Sequence, residues 1–281
     1  MEILYSALLF LILLGVTYCA KLLRSLHSKV SKTSAAITRD IQKLSVENKK
    51  SSMIAYRQTE AFTQLTNLLD FKAAIPSTRS WAASPDLLLT ISEIVKRNKP
   101  ALVVELGSGI STLVASKSGA RKIVSIDNSD AWGAKTVALL KEHKVRGVDV
   151  RIAPLKPYAN GSEWYDVEAI KDLKKIDVLI IDGPPGSKNP EARYPALKQF
   201  KDKLSASAII IIDDVNREGE RKLAEDFAKA LPNHELTILD HEKGTAVISP
   251  RGVDPPRPSN PRFQPAWRGP SGRPRWRCSS A

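Results

Sequence analysis

Two glycines one residue apart, Gly107 and Gly109, follow an apolar run over residues 101–106 that only Glu105 interrupts, and a helical pattern begins at once. A strand, a tight bend and a helix start, in that order, bring bare backbone N–H groups and the positive end of a helix dipole up to a ligand. Glycine suits such a bend because a Cβ would block the approach and disfavour φ > 0. The next strand, over 121–127, ends in Asp127, 22 residues after Glu105. That is close to the roughly 20-residue offset of a carboxylate that holds ribose hydroxyls. The third glycine of the G-x-G-x-x-G dinucleotide pattern is replaced by Thr112, which weakens a nicotinamide-cofactor reading. Further acids close two later apolar runs. Asp182 heads Asp182-Gly183-Pro184-Pro185-Gly186, and Asp213-Asp214 follows 208–212. Carboxylates gathered at strand ends can take a proton or hold a hard divalent cation.

The sequences E-L-G-S-G (105–109) and S-I-D (125–127) resemble the first two motifs of class I S-adenosylmethionine (SAM) dependent methyltransferases. The resemblance implies that Glu105, Gly107, Ser108, Gly109 and Ser111 serve the methionine part of SAM. It implies that Asp127 and Asn128 serve the ribose, that Ala153 lies by the adenine ring, and that Asp182 closes the site. Where this family has Asn/Asp-Pro-Pro-Tyr, this chain has Pro-Pro followed by Gly186, which argues against methylation of an amine or base nitrogen. Asp182, Asp213 and Asp214 resemble the Mg²⁺ site of catechol-type O-methyltransferases, with Asp214 where Asn is usual. The alternative is that Asp213-Asp214 caps the loop into the next helix and meets Arg217 or Arg221. Asp182 and Tyr194 are the candidates to take a proton from the acceptor, so O-methylation of a small molecule or a cell-surface glycan precursor is the expected reaction. Trp81, Tyr158, Trp164 and Arg193-Tyr194 are candidates to line an aromatic acceptor pocket, whereas Trp132 and Tyr165 are expected to pack. The motifs together resemble an uncharacterised bacterial membrane-anchored methyltransferase group. A nicotinamide-dependent oxidoreductase and a non-catalytic membrane organiser are the competing readings.

These residues need a frame. Ser84-Pro85-Asp86 opens a helix that Asn98-Lys99-Pro100 stops, Pro being suited to a first helical turn. Strands are expected over 101–106, 121–127, 148–152, 176–181 and 208–212, with helices over 111–118, 130–143, 194–204 and 218–231 between or after them. Runs 176–181 and 208–212 are apolar on both faces, so helices must cover both sides of a parallel sheet. Strands over 235–239 and 245–248 have only a short turn between them and should pair antiparallel. The expected fold is therefore a three-layer α/β sandwich with a seven-stranded, mostly parallel sheet ending in an antiparallel hairpin, preceded by a transmembrane helix. A reductase sheet would end in a sixth parallel strand instead.

Residues 3–20 carry no charge, and as a helix of roughly 27 Å they match a hydrocarbon core. Basic residues follow this run and none precedes it, which places the rest of the chain in the cytoplasm by the positive-inside rule. The domain expectation is an anchor over 1–23, a juxtamembrane helix over 24–70, a methyltransferase domain over 71–250 and an Arg/Pro-rich tail over 251–281. The juxtamembrane stretch either forms a coiled-coil homodimer through Leu23, Leu26, Val30, Ile37, Ile41 and Leu44 or lies along anionic headgroups. Formal charge is +13, but residues 21–60 hold nine basic against three acidic residues and 251–281 seven against one, which leaves 61–250 nearly neutral. A nucleic-acid-binding catalytic face would need its basic side chains on the domain itself, so no nucleic-acid partner is expected. The tail has seven Pro and seven Arg, cannot bury a core, and is expected to be disordered. Two cysteines, Cys19 and Cys278, exclude a disulfide framework or a zinc site built from cysteines alone.

Overall fold

The computed structural model describes residues 1–158, 162–186 and 189–253. The 251–281 tail lies almost wholly outside the described residues, as do residues 159–161 and 187–188. Two compact units divide the chain, Met1–Tyr56 and Arg57–Ala281. The first is helical throughout, within α1 (Glu2–Leu68), and its apolar residues from Ile3 to Leu14 are exposed. An 18-residue window of α1 has a mean hydropathy of 2.2, long and apolar enough by length and composition to cross a membrane. Near its end, α1 buries Gln58, Ala61 and Leu65, so the folded unit draws in residues before 71.

The second unit is an α/β sandwich. After α2 (Pro85–Asn98), its elements run β1 (Leu102–Leu106), α3 (Ile110–Lys117), β2 (Lys122–Asp127), α4 (Asp130–Glu142) and β3 (Val148–Ile152). They continue β4 (Leu155–Pro157), β5 (Glu163–Tyr165), β6 (Ile176–Ile181), α5 (Pro195–Phe200), β7 (Leu204–Asp213), α6 (Glu218–Ala230), β8 (His234–Leu239) and β9 (Thr245–Pro250). The seven-stranded sheet has the order β3-β2-β1-β6-β7-β9-β8. β1, β2, β3, β6 and β7 pair in parallel, and β9 runs antiparallel to both β7 and β8. The closing hairpin thus folds back so that its last strand enters between β7 and β8. This is the layout that the methyltransferase resemblance implies.

Strand alternation explains the sandwich. Val104, Leu106, Val124, Ile126, Leu179, Ile181, Ile210 and Ile212 face one core with Phe200 of α5 and Leu223 and Phe227 of α6. Val103, Ile123, Val178, Ile180, Ile209 and Ile211 face the other with Leu87, Ile91 and Val95 of α2, Val114 of α3 and Leu65 of α1. From Val178 to Ile181 in β6 and from Ala208 to Asp213 in β7 neither face is left to water, as these apolar runs require.

Two local expectations are corrected. The helix expected over 194–204 stops at Phe200, passes through a 3-10 turn, and gives way to a strand that already starts at Leu204. Leu204 pairs with Ile176, and a register shift then brings Ile209 opposite Val178. Trp164, expected to line an acceptor pocket, lies in a short antiparallel pair, β4 with β5, which buries it against Tyr165 with ring centroids 5.2 Å apart. Trp164 is therefore a core residue and does not line an acceptor pocket. Trp132, expected to pack, is instead 56% exposed with the Lys135 ammonium 4.1 Å above its ring.

Candidate functional site

The carboxyl ends of β1, β2, β6 and β7 carry the residues singled out in the sequence. Gly107 follows β1 with φ +94°, and a Cβ there would lie 3.3 Å from the backbone carbon of Asp182. Gly183, facing it after β6, leaves still less room: its Cβ would sit 2.2 Å from the Tyr165 hydroxyl and 3.1 Å from the Gly107 nitrogen. The two loops cross backbone to backbone, which only glycine at both positions permits. Gly109 differs, for a Cβ there meets nothing within 4 Å. Gly107, Ser108 and Gly109 are all half-buried, so the outer side of the bend is reachable.

Asp127, at the end of β2, turns its carboxylate onto this bend. Its Oδ2 accepts from the Ser108 backbone N–H at 3.0 Å and from the Ser108 hydroxyl at 2.6 Å, and its Oδ1 accepts from the Ser129 N–H at 2.9 Å. Asn128 follows half-buried. The bend and the acid expected to hold a ribose are thus one hydrogen-bonded unit. Ser129 then caps α4, its hydroxyl accepting from the Trp132 N–H.

Three of the candidate cofactor residues sit behind this surface instead of on it. Glu105 is 1% exposed, and its carboxylate accepts from the Thr112 hydroxyl and from Ser125 Oγ at 2.6 Å. Ser111 is buried against the same carboxylate. Burial pushes the Glu105 carboxyl above its ordinary range, against the pull of these hydroxyls. Glu105 and Ser111 therefore brace the bend from beneath: Thr112 ties Glu105 to the Gly109 N–H, which donates to its hydroxyl at 3.0 Å. Ala153 is fully buried among Trp164 and Tyr165, and its N–H donates to the Asp127 carbonyl at 2.7 Å. Its neighbour Pro154 is exposed and offers the apolar surface there.

Asp182, Asp213 and Asp214 converge as expected, each offering an oxygen within 4.8 Å of the others. Sequence reasoning missed what fills the space among them. Arg193, 4% exposed, donates through Nη2 to the Asp182 carbonyl at 2.7 Å, to Asp182 Oδ1 at 3.3 Å and to Asp214 Oδ2 at 2.9 Å. Its Nη1 reaches the Asp213 carbonyl at 3.1 Å and its Nε the Pro184 carbonyl at 3.3 Å. From the other side the Lys243 ammonium stands 3.3 Å from Asp213 Oδ2 and 3.8 Å from Asp214 Oδ1. Arg217 adds a contact of 3.0 Å to Asp214, as the capping alternative anticipated. Burial, and then the neighbouring Asp213 charge, pushes the Asp182 carboxyl up to about 8. Burial raises Asp213 as well, opposed by Lys243.

Tyr194 does not join this group. Its hydroxyl donates to Asp226 of α6 at 2.8 Å and its ring lies under the Lys222 ammonium at 5.1 Å. That hydrogen bond raises the phenol's pKa, the wrong direction for a base. Trp81 is 77% exposed, and Arg79, two residues before it, is paired to Glu242 at 2.8 Å.

Lys243 lies in the expected turn between β8 and β9, but nothing in the local sequence marks that this turn reaches the acids. Between β8 and β9, the Glu242 N–H donates to Asp86 Oδ2 at 2.9 Å, and the Asn216 N–H donates to the Lys243 carbonyl at 3.1 Å. Asp86 Oδ2 also accepts from Gln58 Nε2 at 2.6 Å, so the end of α1, the start of α2 and this turn meet at one carboxylate. Despite its burial, His241, Ser84 and Gln58 hold Asp86 below the usual carboxylate range.

No protein-family model matches the chain, and no curated protein does. Among solved structures it is similar to the SAH-bound methyltransferase PaMTH1 from Podospora anserina, at 16% identity and a TM-score of 0.49, covering 73% of this chain and 95% of that one. It is also similar to an O-methyltransferase from Bacillus cereus in complex with SAH, at 16% identity and a TM-score of 0.48 over 70% and 91% of the two chains. The O-methyltransferase TomG from Streptomyces achromogenes, in complex with SAM, is similar at 12% identity and a TM-score of 0.47 over 70% and 90%.

Proposed function

We propose that this chain is a SAM-dependent methyltransferase that acts on an oxygen acceptor, a small molecule or a cell-surface glycan precursor, and is held at the cytoplasmic face of a membrane by the first part of α1. The observation that carries the reading is the Asp127 carboxylate turned onto the Gly107–Gly109 bend through Ser108. The fit to SAM rests on the same unit. A half-buried bend with glycine on either side of Ser108 lets a ligand come close to its backbone, and Asp127 beside it keeps one lone pair, on Oδ1, for a ribose hydroxyl. When bound, SAM supplies a methyl group already activated by its sulfonium. The protein's share is to align donor and acceptor and to accept one proton. Asp182 is the group for that proton, because its carboxyl, pushed up to about 8, exchanges one near neutral pH. Tyr194, bonded to Asp226, plays no part.

Calorimetry on the detergent-solubilised chain with SAM, S-adenosylhomocysteine (SAH) and NADH tests the reading. SAM and SAH should bind, and Gly107→Leu should abolish both. Binding of NADH alone would make the chain an oxidoreductase, and binding of none would leave an organiser. For the anchor, the chain should stay with membranes through an alkaline carbonate wash, and release into the supernatant would refute it.

A further inference from the structure

We propose that Lys243 and Arg193 stand in for a divalent cation among Asp182, Asp213 and Asp214, so that the strand-end acids of this chain work without metal. The three carboxylates are close enough to chelate, with oxygens within 4.8 Å of one another. A hard cation needs six or more oxygens, and each must present a free lone pair toward it. Here Asp182 Oδ1 and Asp214 Oδ2 face the Arg193 guanidinium, Asp213 Oδ2 and Asp214 Oδ1 face the Lys243 ammonium, and Arg217 adds to Asp214. Of the three acids, only Asp213 keeps an oxygen, Oδ1, that is buried without a partner.

Arg193 cannot step aside for an ion. Its hydrogen bonds to the backbone carbonyls of Asp182, Pro184 and Asp213 stitch the loop after β6 to the end of β7, and displacing it would break all of them. Arg193, Lys243 and Arg217 together set three positive charges against the three carboxylates, so an added metal would meet acids whose charge is already matched. Lys243 is held in this role by its turn. The Gly244 N–H donates to the His241 carbonyl at 3.0 Å, and the Val215 N–H to the Gly244 carbonyl at 3.1 Å. Gly244 takes φ +74° against Asn216, whose nitrogen would lie 3.0 Å from a Cβ there. In the methyltransferase reading, on which the role but not the charge arrangement depends, Lys243 is a positioning residue. Its ammonium, 3.3 Å from Asp213 Oδ2, offsets the Asp213 charge beside Asp182.

The test is Mn²⁺ binding to the chelator-treated full chain, followed by electron paramagnetic resonance, with SAH calorimetry on the same samples. The wild type should show no saturable site below about 1 mM, the weak end of carboxylate sites. Lys243→Gln, which uncovers Asp213 and Asp214, should acquire one at least about tenfold tighter, and adding Asp213→Asn should remove it. A wild-type Mn²⁺ site lost in Asp213→Asn would overturn the proposal. Absence of a site in both wild type and Lys243→Gln would assign exclusion to Arg193 alone and overturn the role given to Lys243. Failure of SAH to bind would count against the methyltransferase reading and leave the Mn²⁺ result to be read by itself.

Discussion

Replacing Asp182 by Asn should reverse part of the pH dependence of folding. In the folded chain this carboxyl is pushed up to about 8 by burial and by Asp213, against an ordinary value near 3.8. An acid raised in this way favours its protonated form. Its contribution is complete at a pH below the unfolded value and is lost as pH rises toward 8. One proton changes stability by roughly 1 kcal/mol per pH unit, so at full expression the loss between about pH 5 and pH 8 reaches about 3–4 kcal/mol. The value of about 8 already includes the opposing pull of Arg193 and Lys243, which both favour the carboxylate. His241 works in the opposite direction across the same window: burial lowers its pKa, so its neutral folded form is favoured as pH rises past its ordinary value. The informative quantity is therefore the difference between the Asp182→Asn variant and the wild type, in which His241 and Glu105 cancel. Urea unfolding followed by tryptophan fluorescence, with Trp164 as the buried reporter, should find the two close in stability near pH 5. The variant should gain by about 2–4 kcal/mol on going to pH 8. A gap that stays constant across that range would show that Asp182 titrates as an ordinary carboxyl and would remove the raised proton affinity on which its choice as acceptor rests.

The two glycine positions separate folding from binding. Gly183→Ala drives a Cβ into the Tyr165 hydroxyl at 2.2 Å and should cost about 2–3 kcal/mol in a thermal melt. Gly109→Ala, with open space around it, should change stability by less than about 0.5 kcal/mol and yet weaken SAH binding in calorimetry, because the methyl group intrudes where a ligand meets the backbone. Tyr194→Phe loses the hydrogen bond to Asp226 and should cost about 1 kcal/mol in the same melt while leaving SAH affinity unchanged; a change in affinity would return Tyr194 to the site.

Much of the frame is legible in the sequence because it follows from short-range rules. Strands β3 and β6 have the expected bounds, the first because apolar and charged residues alternate along it and the second because an apolar run between turn signals has few other outcomes. Helix α6 is marked by its amphipathic pattern. The reading fails where a partner far along the chain decides. Leu204 looks like the end of a helix until Ile176 pairs with it. Arg193 beside Tyr194 suggests an acceptor pocket, but folding turns the guanidinium inward to Asp182 and Asp214 and the phenol outward to Asp226. The acids of the site are visible at their strand ends, whereas Lys243, about 30 residues beyond Asp213, gives no signal because the turn that delivers it is fixed by Asp86.

The place of β9 bears on how the chain is made. Residues 245–250 fill an interior slot of the sheet, with β7 on one side and β8 on the other. Until this segment has left the ribosome, β7 presents an unpaired edge of isoleucines to solvent, the kind of edge that invites intermolecular pairing. Closure of the sheet thus waits for residues 245–250, and a transcript or protease that stops the polypeptide short of Thr245 should yield aggregate instead of a smaller folded domain.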